Sequence, residues 1–168
     1  MRQGSILAHL SRIRLPSDSA RAITSSMPPR IVVDTNVFIA ALLSPSGSNR
    51  EVLRACFLGK AVPLIGAALF HEYEDVLGRA ELMRKCPLKP KERQLFFSSF
   101  LSLAEWIKVY YLWRPNLPDE GDNHLIELAI AGAAEAIVTN NLGDLGRGEL
   151  SFPSLHILTP RQFLSHLP

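Results

Sequence analysis

The run Arg30-Ile31-Val32-Val33-Asp34-Thr35-Asn36-Val37-Phe38-Ile39 constrains the fold more than any other stretch of the chain. Ile31, Val32 and Val33 follow one another with no polar residue between them. An unbroken β-branched run of this kind reads as a strand buried on both faces, as at the centre of a parallel sheet. The run stops at an acid. An aspartate at the end of a buried strand lies on the carboxyl edge of the sheet, where open α/β folds keep their binding crevice. Asp34 is therefore the first candidate functional residue. Asp, Thr and Asn also accept hydrogen bonds from free backbone N–H groups at a helix start, so a capping role is equally consistent with the sequence here.

Downstream, strand and helix patterns alternate. Val52, Leu53, Cys56 and Phe57 recur at helical spacing and predict a helix from about Asn49 to Gly59. Val62-Pro63-Leu64-Ile65-Gly66 reads as a short strand, with the proline at its beginning or at an edge. In the next helix, Leu69, Phe70, Tyr73, Val76 and Leu77 form one apolar stripe. At about 100° per residue, Glu72 and Glu74 fall on opposite borders of that stripe, while His71 and Asp75 face outward. A turn at Cys86-Pro87 and a helix from Pro90 through Phe96, Phe97, Phe100, Leu101 and Leu103 to Trp106 follow, then a third strand over Ile107–Tyr111. The aromatics at helical spacing are read as core or dimer packing. The loop Arg114–Asp122 leads into a helix from Asn123 to about Ala134, with Leu125, Ile126, Leu128, Ala129 and Ile130 on its apolar face. Ala136–Thr139 is a fourth strand and Leu155–Leu158 a fifth; Thr159 and Pro160 cap and open a closing helix. Such alternation predicts an α/β fold, a three-layer α/β/α sandwich around a central, mainly parallel sheet of about five strands.

The 168 residues, 47% of them hydrophobic, suit one soluble domain. No apolar run approaches the roughly 20 residues that span a bilayer. The two cysteines, Cys56 and Cys86, form no CxxC pair, which argues against a zinc site or disulfide framework and favours a reducing, cytoplasmic setting. Residues 1–29 carry four arginines and one acid, so the formal net charge of +2 becomes −1 for residues 30–168. The body is not a nucleic-acid binder by bulk charge, and such binding has to come from a local patch. Residues 1–29 mix Arg, Ser and Pro without a period and read as a flexible extension; a transit peptide, or a natural start at Met27, are the other readings. The most basic stretch holds Arg79, Arg84, Lys85, Lys89, Lys91 and Arg93 against Glu81 and Glu92. It is either a solvated face or a phosphate-binding patch.

Acids gather in the pattern. Asp34 and the Asn140–Asp144 segment both follow strands, and Asp122 projects toward the apolar face of its helix in the first turn. An inward carboxylate must be paired, hydrogen-bonded or metal-bound, with a helix cap as the plain alternative. Carboxylates brought together repel unless a cation lies between them. Mg²⁺ and Mn²⁺ take oxygen ligands, keep waters and bridge carboxylates to phosphates, which is nuclease chemistry. Glycine-rich phosphate loops and HExxH are absent, and the five histidines, His9, His71, His124, His156 and His166, are too scattered to suggest a His-metal cluster.

Four segments in order, Ile31–Val37, Glu72-Tyr73 before Val76–Arg79, Asp122-Asn123 before Leu125–Ala129, and Ile137–Asn141, resemble the PIN domain family, nearest its VapC-like toxin branch. The likeness covers about residues 30–166. It implies a Mg²⁺- or Mn²⁺-dependent endoribonuclease, a homodimer, and neutralisation by a small antitoxin. Under it Asp34, Glu72 and Asp122 are the catalytic metal carboxylates, and Asn36 and Thr139 support them by hydrogen bonding. Many members carry a fourth aspartate where this chain has Asn141. An amide brings no negative charge, so either ion affinity falls or a second ion is poorly held, and Asp144 is the candidate replacement. Two other readings remain: a degenerate PIN-like module that binds RNA or a protein without turnover, and an aspartyl-phosphate site. The second requires an acid two residues after Asp34, where Asn36 stands.

Overall fold

β1 (Arg30–Val33) sits in the middle of the sheet, with β2 (Val62–Ile65) on one side and β4 (Ala136–Val138) on the other. β3 (Glu105–Trp106) pairs with β2, and β5 (His156–Leu158) with β4. Among the described residues the order is β3-β2-β1-β4-β5, and every pairing is parallel. The computed structural model describes residues 27–110, 123–145 and 153–167. The extension before Met27, Tyr111, the Arg114–Asp122 loop with Asp122, and the side chain of Asp144 lie outside the described residues. Successive side chains of a strand point to opposite faces, and Ile31, Val32 and Val33 are all buried, so both faces of β1 are covered.

Parallel neighbours need crossovers, and helices supply them: α1 (Thr35–Leu43) and α2 (Ser48–Phe57) between β1 and β2, then α3 (Ala67–Gly78), α4 (Ala80–Met83) and α5 (Pro90–Leu103) between β2 and β3. α6 (Asn123–Ala131) packs on β1, β2 and β4; α7 (Leu142–Leu145) follows β4, and α8 (Pro160–His166) lies against β4 and β5. The aromatic residues of α5 are core, as their spacing suggests. Phe96, Phe97 and Phe100 close around Phe38, whose ring stacks on Tyr73 with centroids 4.5 Å apart. Thr159 caps α8 in a reciprocal box with Gln162, and Pro160 opens it. Cys56 is buried, which pushes its thiol up to about 12 and leaves it unreactive at neutral pH.

Pro63 is at the beginning of β2 and not on a sheet edge. Val62 donates its N–H to Pro29 O on the β1 side, so the missing N–H of Pro63 falls on the β3 side. Pairing there begins only opposite Leu64, and no ladder bond is lost.

Two expectations need correction. The third strand is Glu105–Trp106 and not the Ile107–Tyr111 run, so α5 ends at Leu103 and Trp106 belongs to the sheet. Ile107 N–H still reaches Ile65 O at 2.8 Å, but β2 stops there, and residues 108–110 have no strand left to pair with. The alternation of half-buried Ile107 and Val109 with exposed Lys108 and Tyr110 therefore marks extended chain outside the ladder. The other correction is that α6 ends at Ala131, not near Ala134. Ala133 turns left-handed (φ 48°), and the N–H groups of Ala133 and Ala134 close on Ile130 O and Ala129 O. This is a Schellman stop in which alanine occupies the place glycine usually takes. The glycine lies one residue earlier for a packing reason: a Cβ on Gly132 would stand 2.6 Å from Leu64 Cδ1 and 3.1 Å from Ile107 Cγ1.

Candidate metal centre

Asp34 is both the last residue of the β1 ladder and the cap of α1. Its N–H donates to Val138 O (3.0 Å), and its carboxylate accepts the Asn36 backbone N–H (3.3 Å) at the first turn. The place at the carboxyl edge of the sheet and the capping role thus coexist, because α1 starts with no intervening loop. A helix N-terminus also favours the negative charge placed there.

Thr139 and Asn36 fix that carboxylate. Asp34 Oδ2 accepts from Thr139 Oγ1 (2.6 Å) and from Asn36 Nδ2 (2.6 Å). The direction of the first bond follows from counting. The Thr139 hydroxyl already accepts from Asn141 N–H (2.9 Å) and Asn36 Nδ2 (3.2 Å), so its single proton goes to Asp34. The amide of Asn36 is oriented by the same logic, since its Oδ1 accepts Asn140 N–H at 3.0 Å and its Nδ2 must face Asp34. The carboxyl ends of β1 and β4 are therefore stitched through side chains. Oδ2 is fully used; among the described residues Oδ1 receives only the long bond and keeps acceptor capacity.

Glu72 reaches the same place from α3. A crevice of about 290 Å³ is lined by Asp34, Thr35, Asn36, Ile39, Glu72, Val76 and Asn141. Glu74 lies elsewhere, in a second depression with Leu77, Pro90, Arg93 and Phe97. Next to Glu72 in sequence, the buried Tyr73 hydroxyl donates to Val33 O, which ties α3 to the residue before Asp34. Burial raises the Asp34 carboxyl above its ordinary range; the bonds from Thr139 and Asn36 oppose this, and the charge of Glu72 adds to it. For Glu72, burial also pushes upward, but His124 by hydrogen bond and charge, with smaller help from Thr35 and Arg79, outweighs it and holds the carboxyl below its usual range. Two carboxylates facing one crevice, one of them strained toward protonation, are what a bound cation relieves.

The donors suit a hard divalent ion. Carboxylate oxygens of Asp34 and Glu72 and the amide of Asn141 are the oxygen groups lining the crevice alongside Asn36 and Thr35. Among the described residues no three His, Cys, Asp or Glu side chains cluster at metal-binding distance. Asp122 lies outside those residues; α7 carries Asp144 just past the crevice residue Asn141, with its side chain outside the description.

Residues 30–143 match the family profile described as PIN domain. The chain belongs to the PIN domain family. Members of this family are typically Mg²⁺-dependent nucleases and generally use a divalent metal. Among solved structures, this PIN domain resembles a chain of VapBC2 from Rickettsia felis bound to a DNA fragment from their promoter, with a TM-score of 0.54 and 18% identity. That match covers 77% of this chain and 98% of the other, and it shows a shared fold. Comparison with curated proteins by sequence finds no match.

One residue beside the carboxylates was not singled out by its sequence. His124, on the first turn of α6, places Nε2 2.9 Å from Glu72 Oε2. Histidine spacing alone does not point to it, because its partner is a carboxylate on another helix. The available signal was its position two residues after Asp122, at a helix start. The basic stretch is only partly free: Arg79 pairs with Asp75, Arg84 with Glu81 (2.8 Å), and Arg93 donates to Leu88 O (3.0 Å). No helix among the described residues is long and apolar enough to cross a membrane.

Proposed function

We propose that this PIN domain is a Mg²⁺- or Mn²⁺-dependent endoribonuclease and the toxin of a toxin–antitoxin pair, acting in the cytoplasm as a homodimer. The observation that carries the enzymatic reading is the shared crevice of Asp34 and Glu72, with Asp34 locked by Thr139 and Asn36. Asp34 and Glu72, with Asp122 from the segment before α6 and either Asn141 from the loop after β4 or Asp144 from α7, would hold the ion. Such an ion supplies a water of lowered pKa and a counter-charge for a phosphodiester oxygen. The chain's own residues do the rest. Thr139 and Asn36 prevent the Asp34 carboxylate from turning away, and Asn36, by binding Asn140 N–H, keeps the Asn141 loop at the crevice rim. The toxin reading is supported by the likeness to a VapBC2 chain, and it makes a small antitoxin protein the expected partner.

Asn141 favours a second reading. A neutral amide on the rim lowers the negative charge available to a cation, as in a non-catalytic module that binds RNA or a protein. Glutamine substitutions separate the two. In RNA cleavage assays with Mg²⁺ or Mn²⁺, Glu72→Gln loses more than about a hundredfold in rate, since a ligand counts for more than the residues around it. Glu74→Gln stays near wild type. Equal losses at the two positions reject Glu72 as the ligand on α3, and no metal-dependent cleavage by the wild type rejects the enzymatic reading.

A further inference from the structure

We infer that His124 is a positioning residue that sets the cation affinity of the crevice by holding Glu72 through its Oε2 atom. The inference rests on reading Glu72 as a cation ligand. Nε2 of His124 lies 2.9 Å from Glu72 Oε2, and the His124 side chain is only 14% exposed against 39% for Glu72. The histidine is thus the anchored member of the pair and the glutamate the one being held. The contact joins α6 to α3, the two helices that bring His124 and Glu72 together beside the end of β1.

A glutamate has three side-chain torsions, and fixing them costs rotamer freedom. Asp34 is short and already held by Thr139 and Asn36, so Glu72 is the more mobile of the two carboxylates. Holding Oε2 before the ion arrives removes that ordering cost from binding and leaves Oε1 as the oxygen His124 does not engage. Partners of this kind around ligating carboxylates typically change metal affinity 10–100-fold. The 2.9 Å separation is of hydrogen-bond length, although the ring N–H is not aligned on Oε2 as in a hydrogen bond; the close contact needs only an N–H at Nε2, which a neutral imidazole of the right tautomer also supplies.

The test measures Mn²⁺ affinity calorimetrically on full-length protein freed of metal. His124→Ala should bind Mn²⁺ about 10–100-fold more weakly than wild type. His124→Gln, whose side-chain N–H reaches as far as Nε2, should recover most of the loss, and the shorter His124→Asn should not. In a Glu72→Ala background His124→Ala should cost nothing further. Wild-type affinity in His124→Ala overturns the inference, and so does equal affinity in the Gln and Asn variants, which covers failure of the alanine variant to fold. If the wild type binds no Mn²⁺, the metal reading itself fails, and urea unfolding of the metal-free proteins then decides. A lower midpoint on His124→Ala in the wild-type background but not with Glu72→Ala supports the hold on Glu72, and equal lowering in both rejects it.

Discussion

Asp34 keeps a charge where burial opposes it. Its folded pKa lies above the ordinary carboxylate value, so the folded chain binds that proton more tightly than the unfolded chain does. Stability in the absence of metal therefore falls as pH rises from the unfolded value through the raised folded one. Asp34→Asn removes the penalty while its amide oxygen still accepts from Thr139 and Asn36. In EDTA the variant should be at least as stable as wild type at pH 7, and its advantage should shrink as pH is lowered through that window. Glu72 contributes with the opposite sign, losing its stabilisation as pH falls through its depressed value, and it is common to both proteins. Urea midpoints over a pH series measure the difference; a variant markedly less stable at pH 7 contradicts this account of the carboxylate. Asp34 was legible because an acid ending a buried strand has few places to go. His124 was not, since its significance depends on α3 and α6 meeting, a contact between residues 72 and 124 that no local pattern encodes.

At the scale of elements, hydrophobic period located β1, β2, β4 and β5 and the helices α2, α3, α5 and α6, and it failed at β3, where the decisive fact was the neighbour's length. Ile107 and Val109 carry a strand's alternation, but β2 had already ended. The end of α6 shows the converse. Ala131-Gly132-Ala133-Ala134 has its glycine one position too early for a helix stop, because close packing on Leu64 claims Gly132. Left-handed backbone costs an L-residue roughly 1–2 kcal/mol, and glycine's greater unfolded freedom returns part of that. Ala133→Gly should therefore stabilise by about 0.5–1 kcal/mol. Gly132→Ala should instead cost about 1–3 kcal/mol, the usual range for overpacking. Chemical denaturation checks both, and a destabilised Ala133→Gly would show that α6 does not stop this way.

Taken as a whole, the molecule has a polar crevice at the carboxyl edge and a basic stretch running from the end of α3 into α5. Arg79, the cap of α3, helps to hold Glu72 in its charged form, so the two regions are electrostatically linked. Local acids neutralise Arg79 and Arg84 in part, whereas Lys85, Lys89 and Lys91 are exposed. If this face carries RNA phosphates, replacing Arg84 and Lys85 by glutamate should weaken RNA binding at every sequence and flatten the salt dependence by about 0.7 for each phosphate no longer neutralised. Unchanged affinity and slope would make the stretch a solvated surface. Persistent cleavage with lost inhibition would make it the antitoxin's.

The most direct test of the central claim is RNA cleavage by protein stripped of metal with EDTA and then titrated with Mn²⁺, wild type beside Asp34→Asn. The account predicts no cleavage without metal, saturable recovery in the wild type, and no recovery in a variant that remains folded. Cleavage by metal-free wild type, or wild-type activity in Asp34→Asn, would contradict it.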